Sequence, residues 1–598
     1  MAQSPLQSAK DVVSFKILSA GSQIKDTYQV IRISVDYALN RIPVAPISLM
    51  DGDVANMDFE VSNSKVFIPG TEIEIQSGYD GELKSIFKGI VGSMKISLDS
   101  SQGTVLEITC HDKAILMTQA RKNAYYSKVK DSDIISSLIG NHKGLTSDID
   151  STTFKHKELV QYNATDWDFM MIRADINGLV TAVNQGKVSV KKPDVSAAPV
   201  LSLTYGVDLI EFEADLNAID QSPAVDAFSW DAESQKIVKS SGTEPSVPAM
   251  GNINGKKLGD SLGIDNEMLV SSAQVDSGLL KSWADAKLLK TRLACLTGSA
   301  TFIGSSRVMP NSIVEIKGIG DRFSGKAYIS AVTHHIDDGI WTTKIRIGMD
   351  EEWFASKAGV NSMPASGLSP QVGGLMIGKV KQLDQDPLNE NRILVVLPMM
   401  QDDNNAIWVR IATYYATNKK GNFFIPEIDD EVVIGFLNSD PNSPIILGSL
   451  YSSKIPPPYE LTADNFTKAI VTKNDCKIEF DDDKKIITIQ TPGENEIVIS
   501  DDAKGITAKD QNKNTITTNA DGISIKDSNS NEIVMSAAGI EIKSSSDIKL
   551  STSAGDVTIA GLNITNTAQV AIKSSGQASA EISASGQTTI KGAMVMIN

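Results

Sequence analysis

The repetitive C-terminal part of the chain, residues 476–598, restricts the possible folds more than any other feature. No Phe, Tyr or Trp follows Phe480, and Pro492 is the only proline of this part. Apolar residues recur instead as pairs at positions i and i+2, separated by Gly, Asn, Asp and Ser, a pattern typical of short β-strands joined by turns. The pairs are Ile497/Ile499, Ile523/Ile525, Ile533/Met535, Ile540/Ile542, Ile548/Leu550, Val557/Ile559 and Val570/Ile572.

A longer repeat contains these pairs. One copy runs from Asn495 to Gly505, and two more run from Asn514 to Gly522 and from Asn531 to Gly539, so that the glycines are 17 residues apart. Each copy has room for two strands and their turns. A fixed period of this kind is typical of repeat architectures, in which one unit cannot bury its apolar face alone.

Each strand offers only two or three apolar side chains, too few for one chain to offset the entropy lost on folding. Three chains wound together would close the sheet edges and share one apolar axis. We therefore expect an intertwined triple-stranded β-helix over 476–598, on the order of 60 Å long at about 4.8 Å per strand. A solenoid made by a single chain and a disordered tail remain open as alternatives at this point.

Charge and cysteine content exclude several classes of function. The formal net charge of the 598 residues is −17, which argues against a nucleic-acid partner because phosphate binding needs Lys and Arg. Cys110, Cys295 and Cys476 form no CxxC pair, so neither a zinc site nor a disulfide framework is indicated. We expect no cofactor, no secretory signal and no transmembrane helix.

Composition divides the rest of the chain into three domains. Residues 1–365, with five of the six Trp and all five His, mix alternating strand patterns with helices predicted at 131–139, 165–175 and 282–296, so we expect an α+β domain. Within it, 236–262 is rich in Gly and Pro and is predicted to be a surface loop. Five short strands predicted in 366–455 indicate a small barrel of the OB type. A linker, 456–475, begins at the prolines 456–458.

One motif in the predicted barrel resembles a known family. Phe424–Phe436 reads FIPEIDDEVVIGF and is followed by LNSDPNSPIILGSLY, ending at Tyr451. The segment is similar to the signature of VgrG-type spike proteins of contractile injection systems. Pro441 and Pro444 can fix its tight turn. We expect Gly435 and Gly448 to allow close backbone approach. The signature residues are Pro426, Glu427, Asp430, Glu431, Gly435, Asp440, Pro441, Pro444, Gly448 and Tyr451.

The resemblance implies an architecture and a set of partners. Residues 1–365 would be a hub of two barrels that binds an inner tube or tube-initiator protein and other baseplate proteins, and 476–598 would be the needle of a homotrimer. A PAAR-type tip protein would dock on the last residues, effector cargo could be carried, and contact with the target membrane would be transient. The residues implied in tip docking are Met594, Val595, Met596, Ile597 and Asn598.

The opening of the chain suggests a subtype. Asp26–Val30, Asn40–Pro43 and Asp51–Asp53 resemble spikes of phage-tail-like extracellular particles, which we prefer to the related type VI secretion spike. Such a protein would be assembled in the bacterial cytoplasm and released with its particle. Because Tyr451 leads directly into the needle, we expect no lysozyme or effector domain in this chain.

No set of residues indicates catalysis. His334 and His335 are adjacent, so on a strand they face opposite sides and are a poor metal pair. Asp481–Asp483 lacks the spacing of a calcium loop and is predicted to be a solvated turn. A β-helical adhesin or glycan-active enzyme is the alternative from another class; it would need a carboxylate pair in a groove, and none is indicated. We predict a non-enzymatic protein of mainly β structure.

Overall fold

The computed structural model describes residues 3–7, 12–99, 103–248, 250–401 and 406–597. They form two compact units: Met1–Gly374 with Phe436–Pro444, and Leu375–Gly435 with Ile445–Asn598. Strands dominate both units, which confirms the prediction of a mainly β protein.

One sheet of thirteen strands forms the centre of the first unit. Its main path is β14-β18-β21-β20-β3-β4-β7-β6-β5-β1-β2, and β13 and β19 join it through β20. The resemblance implies two hub barrels, but in the described residues these strands belong to one sheet. The strands of the whole first unit, including those outside this sheet, are β1 Val13–Ser19, β2 Ser22–Gln23, β3 Val30–Ala38, β4 Val44–Met50, β5 Glu72–Tyr79, β6 Glu82–Asp99, β7 Gly103–His111, β8 Arg121–Lys130, β9 Thr146–Ile149, β10 Lys155–Thr165, β11 Val180–Asn184, β12 Lys187–Lys191, β13 Leu201–Thr204, β14 Leu209–Leu216, β15 Val225–Asp231, β16 Lys236–Ser241, β17 Glu267–Ser271, β18 Leu296–Ile303, β19 Ser312–Lys317, β20 Gly325–Asp337 and β21 Ile340–Ile347.

Three small sheets, β10-β8, β11-β12-β9 and β16-β15-β17, complete this unit together with its helices. The α-helices are α1 Glu60–Asn63, α2 Asp131–Gly140, α3 Asp166–Ile176, α4 Gly255–Leu262, α5 Ser277–Leu293 and α6 Gly320–Phe323. The predicted helices 131–139, 165–175 and 282–296 correspond to α2, α3 and α5. No described helix is both long and apolar enough to cross a membrane.

The prediction of a surface loop at 236–262 is wrong at both ends of that stretch. Residues 236–241 form β16, and 255–262 form α4. The glycines that suggested a loop serve close packing instead, because a Cβ on Gly259 would lie 1.9 Å from the backbone oxygen of Gln221. A Cβ on Gly255 would lie 2.0 Å from the Gln221 side-chain oxygen.

A buried ionic network joins α2 to α3. Asp131, which is fully buried, accepts hydrogen bonds from Arg173 at 2.7 and 3.1 Å and from Asn177 at 2.8 Å, and it lies 3.0 Å from His156. Burial raises the pKa of Asp131, but the hydrogen bonds and charge of Arg173 outweigh it and the net pKa is lowered. Asp131 is the first residue of α2, and Lys130, at the N-cap position, forms no side-chain cap hydrogen bond.

His334 is a satisfied core histidine. Its Nδ1 lies 3.0 Å from the Thr343 hydroxyl, and its ring packs beside Trp341. Burial lowers the pKa of His334 to about 4, with a smaller contribution from His335. His335 is exposed on the other face of β20, as strand alternation predicts.

The second unit combines a closed barrel with a long antiparallel sheet. The barrel has the order β22-β23-β24-β28-β27, which confirms the five-stranded barrel; a small hairpin, β25-β26, lies between β24 and β27, and β29 to β37 follow one another in a meander. The strands are β22 Met376–Gln382, β23 Ile393–Val396, β24 Ile407–Ile411, β25 Ala416–Thr417, β26 Lys420–Gly421, β27 Glu431–Phe436, β28 Pro444–Ser449, β29 Thr467–Val471, β30 Lys477–Asp481, β31 Ile486–Gln490, β32 Glu496–Ser500, β33 Gly505–Lys509, β34 Thr515–Asn519, β35 Gly522–Lys526, β36 Glu532–Ser536 and β37 Gly539–Lys543.

Candidate functional site

One face of the C-terminal sheet carries two continuous rows of mainly apolar side chains, which we call the apolar ladders. Directly opposed residues form each row, and because the two rows are two positions apart on every strand, they share a face. The first ladder is Ile470, Ile478, Ile489, Ile497, Ala508, Ile516, Ile525, Ile533 and Ile542. The second ladder is Lys468, Phe480, Ile487, Ile499, Ile506, Thr518, Ile523, Met535 and Ile540.

The apolar ladders are poorly covered in a single chain. Ile516 is 49% exposed, Ile525 41% and Ile542 54%. A groove of about 790 Å³ runs along part of this face and is lined by the isoleucines of the first ladder from Ile489 to Ile542. Nine strands at about 4.8 Å spacing extend the uncovered face over roughly 38 Å, and contiguous apolar surface of this size marks an interface.

The opposite face is mainly polar. Its central row includes Thr488, Thr507, Thr517 and Ser524 besides Val498 and Val534, and charged residues of opposite sign are paired across strands at its margin. These pairs are Glu496 with Lys509, Lys526 with Glu532, and Glu532 with Lys543. The sheet is therefore two-sided, with one face suited to solvent and one that lacks a cover.

The turns of the repeat stack on one another through three asparagines. Asn495, Asn514 and Asn531 each accept, through the side-chain oxygen, a backbone N–H from the next turn: that of Gln511 at 3.2 Å, Ser528 at 3.2 Å and Ser545 at 3.0 Å. In the last two turns, Asp510 and Asp527 bind the backbone and the side chain of the asparagine four residues on. These hydrogen bonds lower the pKa of both carboxyl groups.

Regular pairing ends after β37. Among the described residues, 544–597 contain no strand and no backbone-to-backbone hydrogen bond, and 545–597 are exposed throughout. The predicted strand pairs at 548/550, 557/559 and 570/572 therefore have no partner within the chain. The backbone nevertheless bends about every eight residues, at 545–546, 553–555, 562, 569–570, 577–578, 585–586 and 593.

A segment with regular bends but no backbone-to-backbone hydrogen bonds in its described residues is incomplete as a single chain. Backbone N–H and C=O groups form strong hydrogen bonds, and repeated extended runs satisfy them by pairing with other strands. The apolar side chains of this segment, such as Ile564, Ile572 and Ile590, are also more than half exposed. Both observations point to strands supplied by other chains.

The predicted tip residues lie at the end of this segment. Met594, Val595, Met596 and Ile597 are all exposed, and Asn598 lies outside the described residues. Tip docking on them remains a prediction.

The signature residues of the barrel organise its turns. Asp430 accepts a hydrogen bond from the N–H of Glu427 at 2.8 Å, and the Glu427 carboxylate lies 2.7 Å from Lys473 in the first turn of the C-terminal sheet. Pro426 precedes this turn, and Glu431 opens β27 and accepts the Leu450 N–H at 2.9 Å. These contacts tie the last barrel hairpin to the sheet that follows it.

The turn around Asp440 is fixed by hydrogen bonds as well as by Pro441 and Pro444. The Asp440 carboxylate accepts the N–H of Asn442 and the hydroxyl of Ser369, both at 2.9 Å, and these bonds lower its pKa, the Asn442 N–H contributing most.

The prediction for the two signature glycines is only partly right. A Cβ on Gly435 would lie 3.2 Å from a Leu447 side-chain carbon, so close packing there involves a side chain rather than backbone. Gly448 has open space around it, so the predicted close approach is wrong at that position. Tyr451, the last residue of the signature, is largely exposed.

No metal site is evident in the part of the chain that the structure describes. Its residues contain no group of three His, Cys, Asp or Glu side chains that could hold a metal ion. Asp481 accepts the Lys484 N–H at 3.0 Å and Asp482 pairs with Lys468 at 2.7 Å, an arrangement typical of a turn.

Family models match three stretches of the chain. Residues 9–338, more than half of its length, match the Alg8 N-terminal domain. Residues 376–451 match the type VI secretion system/phage-baseplate injector OB domain, and residues 486–546 match the phage baseplate V C-terminal trimerisation domain. The chain belongs to the family that the Alg8 N-terminal domain defines, and it is a homologue of the VgrG-type spike proteins.

Curated members of the spike family share short stretches with the chain. The type VI secretion system spike protein VgrG3 of Vibrio cholerae is 34% identical over 109 residues, 17% of this chain and 11% of the relative. VgrG5 of Pseudomonas aeruginosa is 39% identical over 69 residues, 12% of this chain and 9% of the relative. The matched stretches thus span about a tenth of the length of these relatives.

Solved structures resemble the chain at low identity. The 43 kDa tail protein of prophage MuSo2 from Shewanella oneidensis is 11% identical with a TM-score of 0.43, covering 57% of this chain and 99% of that protein. An Escherichia coli component of the type VI secretion system is 13% identical with a TM-score of 0.37, covering 73% of this chain and all of that protein. Family membership rests on the sequence models.

The sequence pattern predicted the apolar pairs but not the two ladders or the stacked asparagines. The signal for both was present. Aligning the copies on Gly505, Gly522 and Gly539 places the isoleucines in register, and the aspartate or threonine four residues before each asparagine marks the repeated turn.

Proposed function

We propose that the chain is one protomer of the homotrimeric central spike of a contractile injection particle. The observation that carries the proposal is the uncovered pair of apolar ladders, which is followed by a segment, 544–597, whose described residues form no backbone-to-backbone hydrogen bond. Residues 486–546 of this region match a trimerisation domain. Three copies would turn their ladders toward a common axis and leave the polar faces in solvent.

The proposed work of the spike is mechanical rather than catalytic. A needle driven through an envelope must resist axial load, and strands shared among three chains can separate only when many hydrogen bonds break together. Between Val557 and Asn598 only Lys573, Glu581 and Lys591 are charged. A leading segment with so few charges lowers the desolvation cost of entering a membrane.

The proposed partners follow from the order of the domains. The first unit would bind the inner tube and baseplate proteins, and a PAAR-type protein would bind the exposed apolar residues 594–597. A Francisella relative of known structure is described as a PdpA–VgrG complex, which supports cargo as a further possibility for this chain. One similar protein is named an actin cross-linking toxin; we do not extend that activity to this chain.

The mass of the purified full-length chain tests the trimer directly. Native mass spectrometry should give three times the 64.2 kDa of one chain, and hydrogen exchange should show slow amides in 544–597. A monomer, or fast exchange throughout 544–597 in a trimer, would contradict the proposal.

The tip contact needs a separate test. Removing residues 594–598 should leave the trimer intact and abolish capture of a co-expressed PAAR-type protein. Replacing the exposed Ile582 with Ser is a matched control that removes one apolar side chain elsewhere in the same segment. Unchanged capture after the deletion would place the tip contact elsewhere.

Two subtypes remain, and we favour an extracellular particle made in the cytoplasm over a cell-anchored type VI system. The curated relatives named above are type VI spikes, which supports the second subtype. Fractionation of a producing culture separates them: the spike should sediment from the medium together with sheath and tube proteins. Retention of the spike in an envelope-bound complex would favour the type VI form.

A further inference from the structure

A two-stranded ribbon in the first unit concentrates positive charge on a strongly acidic protein. It consists of β8 and β10, whose inner side chains, Tyr126, Val129, Leu159 and Ala164, pack against the core that contains α2 and α3. His156 fixes the ribbon further through its contact with Asp131. The ribbon is therefore a rigid part of the fold, and its outer face is a defined surface.

The two strands carry six basic residues and one acidic residue, Glu158. Two of the basic residues are used internally: Arg121 donates to backbone oxygens of Asn163, Gly359 and Val360, and Lys122 pairs with Asp166 at 2.5 Å. The other four form no ion pair within the described part of the chain. They are Lys128, Lys130, Lys155 and Lys157.

The four lysines occupy facing positions. Lys130 lies directly opposite Lys155, and the same register places Lys157 at the level of Lys128. Like charges in directly opposed positions of a sheet are destabilising. The backbone of Lys128 is also left-handed, with φ of 53°, a conformation that costs a non-glycine residue free energy. The fold thus keeps this lysine cluster although the cluster lowers the stability of the folded protein.

Apolar and aromatic side chains continue the same outer face. Tyr125 is opposite Val160, and Tyr162 follows two positions further along β10. Tyr125 is 88% exposed and Tyr162 75%. Exposed tyrosines beside cations favour a protein partner, because aromatic side chains supply most of the energy at protein interfaces.

We propose that the outer face of β8–β10 is a docking surface for an acidic polypeptide segment, bound in extended form. No third described strand pairs with β8 or β10, so each strand keeps one side to which a peptide backbone can add. A lipid surface or a nucleic acid cannot use a strand edge. The surface lies on strands of the first unit, whereas the apolar ladders lie on strands of the second.

The test uses the full-length protein and a fluorescein-labelled twelve-residue peptide of alternating Glu and Val. Binding measured by fluorescence anisotropy should be salt-sensitive, and Lys128→Glu with Lys157→Glu should weaken it by about tenfold or more, as expected for reversing two exposed charge contacts. Tyr125→Ser with Tyr162→Ser should weaken it at unchanged net charge. N-methylation of alternate peptide residues should abolish binding by blocking strand addition.

The matched control is Lys65→Glu with Lys84→Glu, which reverses two exposed lysines of the same unit that lie outside the ribbon and form no ion pair in its described residues. Equal weakening by the control and ribbon variants would overturn the proposal, because only net charge would then matter. Tighter binding of phosphatidylserine vesicles or of a twelve-nucleotide DNA than of the peptide would overturn it as well. Thermal melting confirms that each variant is folded.

Discussion

Replacing one residue of the apolar ladders with a charged residue tests whether three chains share that face. In Ile516→Asp, each copy loses an isoleucine that is 49% exposed in the single chain. Burying the exposed half in the trimer is worth about 1 kcal/mol per copy, or about 3 kcal/mol for three copies. Placing three carboxylates near a common apolar axis adds several kcal/mol for each ion. A loss of about 3 kcal/mol alone corresponds to a more than hundredfold decrease in the association constant of the trimer.

The control for this prediction lies one residue away. Thr517 is on the polar face beside Thr507 and Ser524, so Thr517→Asp introduces the same charge and the same loss of strand propensity without entering the apolar interior. Sedimentation velocity at micromolar concentration should show trimers for Thr517→Asp and for the native chain, and monomers for Ile516→Asp. Equal trimer content in the two variants would refute the assignment of the apolar ladders to the interface.

The remaining predictions concern the repeat and the hub. Gly522→Ala should lower the melting temperature of the needle more than Gly539→Ala, since both have positive φ but only Gly522 would push its Cβ to 1.8 Å from the Met535 oxygen. Asp131→Leu should destabilise α2 and α3 by about 3–5 kcal/mol because it leaves Arg173 buried without its partner, which accelerated hydrogen exchange there would reveal. Because the pKa of Asp131 is lowered on folding, its stabilising effect is complete above the ordinary aspartate value of 3.8 and disappears as the pH falls through the folded-state value; a pH series of the native chain against Asp131→Leu measures it.

Local patterns predicted the elements whose partners are close in sequence. The strands of the barrel alternate clearly, and Thr165 caps α3 by accepting the Asp168 N–H at 3.0 Å. The features that local patterns missed involve distant partners. Asp131 begins the predicted helix 131–139, but its role depends on Arg173, 42 residues away.

The same limit applies to the candidate site. The alternation of isoleucines is visible in the sequence, but which chain covers them is not a property of one chain. Gly255 and Gly259 resembled loop residues because the approach of Gln221, which requires them, is made by a separate segment. The facing lysines of the ribbon depend on the register between β8 and β10, which composition does not encode.

The stacked asparagine turns fix the length of the C-terminal sheet in units of one repeat copy. One 17-residue copy contains two antiparallel strands, so adding or removing a whole copy returns the chain to the same direction, the same edge and the same inward face. The C-terminal sheet can therefore lengthen or shorten in evolution only in increments of about 10 Å. Insertion of a single strand would reverse the direction of every strand that follows. The next asparagine would then lie at the opposite edge of the sheet. The length of the sheet and the alignment of its turns are therefore determined by the same repeat.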